Sequence, residues 1–102
     1  MTTTENVIEK KRVTSKEIKE PKKYKVLVLN DDMTPIDFVV AMLITVFRHN
    51  DSSALKLTLD IHNNGSAVAG IYSHEVAEQK ILDGTTMARA NGFPLMLKAE
   101  AA

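Results

Sequence analysis

The chain has 102 residues, enough for one small domain and too few for two. Hydrophobic residues make up 44% of it, sufficient for a packed core, and there is no cysteine, which excludes a disulfide framework and a thiolate metal site. The formal net charge is zero but unevenly placed: residues 1–23 carry seven Lys/Arg against four Glu, whereas residues 24–102 carry six Lys/Arg against nine Asp/Glu. A basic tail on an acidic body argues against a nucleic-acid-binding body and suits a cationic ligand such as an α-amino group.

Residues 1–23 are rich in Lys, Glu and Thr and contain no aromatic residue. They are expected to form a flexible N-terminal extension, with at most a weak helix over 15–20 that Pro21 would end. Met1 to Val7 has no basic start followed by an apolar run, and the longest apolar stretch, Phe38 to Ile44, is far short of a membrane span. A cytoplasmic protein without membrane association is therefore expected.

Order is predicted from Tyr24, where Tyr24 to Leu29 reads as a buried strand. Asn30-Asp31-Asp32 breaks it. Thr34-Pro35 then reads as a helix start, with Thr34 as N-cap, Pro35 in the first helical position and Asp37 favouring the N-terminal dipole. The helix is apolar on two faces, through Val39, Val40, Leu43 and Phe47. His49-Asn50-Asp51-Ser52 is a second break, with Ser52 or Asp51 as cap. The next segment is ambiguous: Leu55 to Ile61 alternates like a strand, but the capping residues before it and Asn63-Asn64-Gly65 after it are helix punctuation. As a helix it would set Leu55, Thr58, Leu59 and His62 on one face. A short strand over Ala67–Tyr72 follows, then a helix capped by Ser73 and ended by Asn91-Gly92, then a closing strand over Leu95–Lys98. The order β-α-α-β-α-β predicts an α+β domain, a three-stranded antiparallel sheet packed with three helices.

Three chemistries compete at the first break. Asp31 and Asp32 could be a catalytic carboxylate pair, hard metal ligands together with a histidine, or simple turn residues. On an extended chain adjacent side chains diverge, which would leave one aspartate facing solvent. His62 sits where a helix C-terminus favours a histidine, and no pair of histidines has metal-ligand spacing. No serine lies in a nucleophile elbow and no glycine run forms a phosphate loop, so an enzyme is not expected, nor a metal or other cofactor.

Set side by side, these blocks resemble the ClpS adaptor family: Tyr24-Lys25-Val26, Asn30-Asp31-Asp32-Met33-Thr34-Pro35 with Phe38-Val39, Ile61-His62, Gly65, Gly70, Glu75-Val76-Ala77-Glu78 with Lys80, Ala88-Arg89 and Pro94-Leu95. They occur in order from Tyr24 to the C-terminus, and the first and the Glu-Val-Ala-Glu-x-Lys block together are specific. The resemblance implies a monomeric, non-catalytic adaptor over residues 24–102. It would bind proteins whose first residue is Leu, Phe, Tyr or Trp, the N-degrons of the bacterial N-end rule, and deliver them to a ClpA- or ClpC-type AAA+ unfoldase working with the ClpP protease. It also implies a helix for the ambiguous segment.

Family roles can be placed on this sequence. Asn30, Asp31 and His62 would hold the ligand's amino group, with Asp31 supplying the charge and Asp32 contributing less. Thr34, Pro35, Ile36, Val39, Ile61 and Leu95 would line the hydrophobic pocket, and Glu75 and Lys80 would contact the unfoldase N-terminal domain. The chemistry is apt, because an ammonium is a three-donor group that needs converging acceptors. Thr58 departs from the family at a pocket position that usually holds Met. Met33 replaces a more usual aromatic residue, and Gly84 an apolar residue, which predicts looser packing in the third helix. A specialised member with an altered pocket, one that mainly modulates the unfoldase or binds another peptide, is the alternative.

Overall fold

The computed structural model describes residues 22–102, so the extension and its suggested helix over 15–20 lie outside the described residues. Six elements follow in chain order: β1 (Lys23–Leu29), α1 (Ile36–Phe47), α2 (Asp51–Asn64), β2 (Ser66–Ser73), α3 (His74–Ala90) and β3 (Met96–Ala101). The sheet is wholly antiparallel with β1 in the middle, in the order β2-β1-β3. This is the α+β arrangement expected from the sequence.

The centre of the core is Val26 and Val28 of β1, both fully buried, with Leu97 of β3, Met42 and Leu43 of α1, and Ala54 and Ile61 of α2 in the same cluster. β1 can be the central strand because it is β-branched and apolar where it is covered. The alternating segment 55–61 is helical, and its caps show why. Asn50 Oδ1 accepts a bond from the Ser53 N–H at 2.8 Å, and Gly65 closes the helix at φ 92° with its N–H on the Ile61 carbonyl. The cap is thus Asn50, one residue before Asp51 and two before Ser52, the expected candidates; its amide oxygen reaches the N3 donor. Ser73 caps α3 as expected, accepting from the Val76 N–H at 3.4 Å.

The β1–β2 ladder shifts register between Val26 and Leu27: Val26 opposes Gly70 and Leu27 opposes Val68, so Ala69 is left without a partner residue. Such a bulge frees ladder groups. The carbonyl of Ala69, itself only 4% exposed, is engaged by His49 Nε2 at 2.7 Å from the loop after α1. Nε2 is the protonated nitrogen here, since a carbonyl only accepts.

Gly84 does not loosen α3. A Cβ placed there would come within 2.9 Å of Leu97 Cδ2 and 3.4 Å of Met42 Sδ, so the space of a side chain is already filled by the sheet and by α1. The missing side chain lets the helix approach the sheet closely, and the expectation of looser packing is overturned.

Candidate functional site

The site is built where β1 runs out. The Asn30 N–H donates to the Gly65 carbonyl at 2.8 Å, which ties the end of β1 to the end of α2. Asp31 then folds the chain. Its Oδ1 accepts the N–H of Met33 at 2.7 Å and of Thr34 at 3.0 Å, and its Oδ2 accepts the Thr34 hydroxyl at 2.5 Å. This is an aspartate-closed turn, in which the side chain mimics the next backbone acceptor.

The turn displaces the helix start. Thr34 is engaged by Asp31, so it does not cap α1. Pro35, at φ −66° and ψ 149°, is the N-cap residue, no side chain caps the helix, and the Pro35 carbonyl accepts the N–H groups of Phe38 and Val39 at 3.1 and 3.2 Å. The expected start was one residue early because a carboxylate three residues upstream outcompetes the helix for the threonine hydroxyl.

A cleft of about 160 Å³ opens beside this turn. The loop contributes Asn30, Asp31, Asp32 and Thr34; α1 contributes Ile36 and Val39; α2 contributes Thr58 and His62. Residues 28 positions apart in the chain, Thr34 and His62, are thus brought to one place. Pro35, Ile61 and Leu95 do not line the cleft. Pro35 is exposed at the helix start, while Ile61 (3% exposed) and Leu95 (1%) belong to the core. Ile61 precedes His62 but is turned about 100° from it around α2 and is buried in the core.

Both aspartates line the cleft, and one of them, Asp32, is exposed to solvent, as expected of one of the pair. They can share the cleft because the alternation rule applies to extended backbone, and residues 32–33 are in a turn. Asp31 is committed to three donors of its own loop. Asp32 is exposed and has no hydrogen-bond partner among the described residues, and the same holds for the exposed ring of His62. Among the described residues, nothing occupies their polar atoms.

Thr58 is 2% exposed, and its Oγ1 donates to the Ala54 carbonyl at 2.7 Å. The hydroxyl is satisfied within α2, so at the cleft Thr58 acts as a short, β-branched side chain of fixed rotamer.

Glu75 is exposed in the first turn of α3. Lys80 is different: its Nζ donates to the Val46 carbonyl at 2.7 Å and stands 5.7 Å from the Tyr72 ring centroid. Burial raises the Tyr72 phenol above its ordinary 10.0, so the ring beside the ammonium is neutral. No group of His, Asp and Glu side chains able to hold a metal ion occurs among the described residues. Nor does any helix among them have the length and apolarity to cross a membrane.

The fold is shared with the structure of Agrobacterium tumefaciens ClpS2 bound to L-phenylalaninamide. That likeness has a TM-score of 0.79 at 38% identity, covering 81% of this chain and 100% of that one. The family model described as ATP-dependent Clp protease adaptor protein ClpS matches residues 19–98. The ATP-dependent Clp protease adapter protein ClpS of Oleidesulfovibrio alaskensis is 46% identical over 84 residues, 82% of this chain and 81% of that protein. Its counterpart in Treponema denticola is 41% identical over 92 residues, 90% of this chain and 91% of that protein. The chain belongs to the ClpS family of Clp protease adaptors.

Proposed function

We propose that this adaptor binds the first residue of proteins that begin with Leu, Phe, Tyr or Trp, and delivers them to a ClpA- or ClpC-type unfoldase. The observation that carries the reading is the composition of one cleft: the open acceptors of Asp32 and His62, with Asn30, share it with the apolar walls Ile36 and Val39. An N-terminal residue has that same pairing of a triply donating ammonium and an adjacent side chain. L-phenylalaninamide, the ligand of the Agrobacterium relative, is the smallest molecule with a free α-amino group, a benzyl side chain and an amide in place of the next peptide bond.

In this reading Asn30, Asp31 and His62 hold the amino group, joined by Asp32, whose carboxylate is the less encumbered of the two. Asp31 contributes its charge and shapes the turn. Each charge-assisted hydrogen bond contributes about 1.5–3 kcal/mol, and burying a Leu or Phe side chain about 1.5–3 kcal/mol more. After association costs, a Kd in the region of about 1 μM is expected, which suits an adaptor that must release its cargo. Glu75, exposed on α3, is the side chain of the expected pair that remains free to meet the unfoldase. The experiment is a titration with peptides differing only in the first residue, each with a free or an acetylated N-terminus. Tight binding of the free Leu, Phe, Tyr or Trp peptides, lost on acetylation, is the expected result; equal binding of free and acetylated forms sinks the reading.

A further inference from the structure

The apolar surface around the cleft does not stop at its walls. Among the exposed large hydrophobic residues, Met33 (73%), Ile36 (42%), Leu55 (48%) and Leu59 (42%) lie on the loop and the two helices that build the cleft. Ile36 is one of its lining residues, and Met33 lies between two others, Asp32 and Thr34. On α2, Leu55 is three residues before Thr58, and Leu59 is three before His62 and four after Leu55. Residues at these spacings are surface neighbours on a helix, so Leu55 and Leu59 border the two α2 residues that line the cleft. Met33 is held in place because its N–H is bonded to Asp31.

We infer that Leu55 and Leu59 on one bank, and Met33 and Ile36 on the other, form a second subsite that takes an apolar side chain at the second residue of the bound segment. The inference rests on the proposed first-residue reading, and names a preference within it. With the amino group held by Asn30, Asp31, Asp32 and His62 and the first side chain in the cleft, the chain must leave across this rim, and the second side chain is the first to reach it. A solvated leucine pair gains by covering, and partial burial of one further aliphatic side chain corresponds to about a fivefold gain in affinity. The four rim side chains are all apolar, and Asp31 and Asp32 line the adjoining cleft, so a neutral polar second residue gains no apolar contact from the rim.

The test uses the full chain and two peptides beginning Phe-Leu and Phe-Asn, identical beyond, each also with an acetylated N-terminus. The neutral asparagine avoids repulsion from Asp31 and Asp32, so the comparison reads apolar contact alone. The Phe-Leu peptide should bind about fivefold more tightly, and the double variant Leu55→Gln/Leu59→Gln should reduce that ratio to within about twofold. Glutamine is a good helix former and both positions are exposed, so circular dichroism should show an unchanged fold. Leu82→Gln, at the exposed Leu82 on α3, should keep the full ratio. Equal binding of the two free peptides, or a ratio that survives the double variant or falls in Leu82→Gln, overturns the subsite. If acetylation leaves both peptides bound as before, the first-residue reading falls, and the subsite with it.

Discussion

Lys80 reaches from the middle of α3 to the last turn of α1, where its ammonium donates to the Val46 carbonyl at 2.7 Å. α1 has no basic residue in its own last turn. The terminal carbonyls of a helix lack intrahelical partners and carry the negative end of its dipole. Lys80 therefore caps a helix to which it does not belong, and packs over Tyr72 while doing so. Lys80→Met should lower unfolding stability by about 1–2 kcal/mol, read as a lower urea midpoint at unchanged slope. A Lys80→Met protein of undiminished stability would show that the bond contributes nothing. This prediction also bears on unfoldase contact: binding lost through Lys80 has to be corrected for the fold it supports, whereas loss through exposed Glu75 does not.

His49 has a comparable duty at the bulge. Its bond satisfies the carbonyl of the one β2 residue without a partner on β1. His49→Leu fills similar space and leaves that buried acceptor unpaired, at a cost of about 1–3 kcal/mol. His49→Gln can still donate and should recover part of the loss. Thermal melts of the two variants check this: equal melting temperatures would mean that water replaces the imidazole.

Much of this molecule was legible from its punctuation. The Asn-Asp-Asp break, the Ser73 cap and the Gly65 and Gly92 stops mark the elements, because capping and positive φ are local demands that few residue types meet. The α2 segment was not legible by period, since Leu55, Leu57, Leu59 and Ile61 alternate; Leu55 and Leu59 are exposed apolar residues on a helix. Resemblance, not pattern, resolved it. The cleft was legible in its polar part and less so in its apolar part: Ile61 and Leu95 are as apolar as Ile36 and Val39, and only packing tells core from lining. Lys80–Val46 and His49–Ala69 span 34 and 20 residues, and no local rule connects such positions.

The two aspartates should separate by mutation. Asp31→Ala removes the acceptor of two backbone N–H groups and one hydroxyl, so it should lower stability by about 1–3 kcal/mol and weaken peptide binding together. Asp32→Asn removes an exposed carboxylate with no partner among the described residues, so stability should hold within about 0.5 kcal/mol while affinity for a free N-terminus falls about tenfold or more. Paired denaturation and titration of both variants decide it. If Asp32→Asn binds as well as the parent protein, Asp31 supplies the counter-charge alone.

Thr58 should set which first residue is preferred. Its hydroxyl is bonded to Ala54, so Thr58→Val, which removes the hydroxyl at nearly constant shape, should change the Phe-to-Leu affinity ratio by less than about twofold. Thr58→Met adds a longer, flexible side chain to a position that is 2% exposed and faces a cleft of about 160 Å³. That volume must come from the cleft or from strain in the core, at about 1–3 kcal/mol in the latter case. If the sulfur-bearing chain enters the cleft, Trp and Phe peptides should lose affinity relative to Leu by about tenfold, while stability is kept. If it is forced into the core, stability falls and the ratio stays. Titrating Leu, Phe and Trp peptides against Thr58→Val and Thr58→Met, with melting temperatures alongside, distinguishes the two. An unchanged ratio in Thr58→Met at unchanged stability would show that Thr58 does not touch the bound side chain.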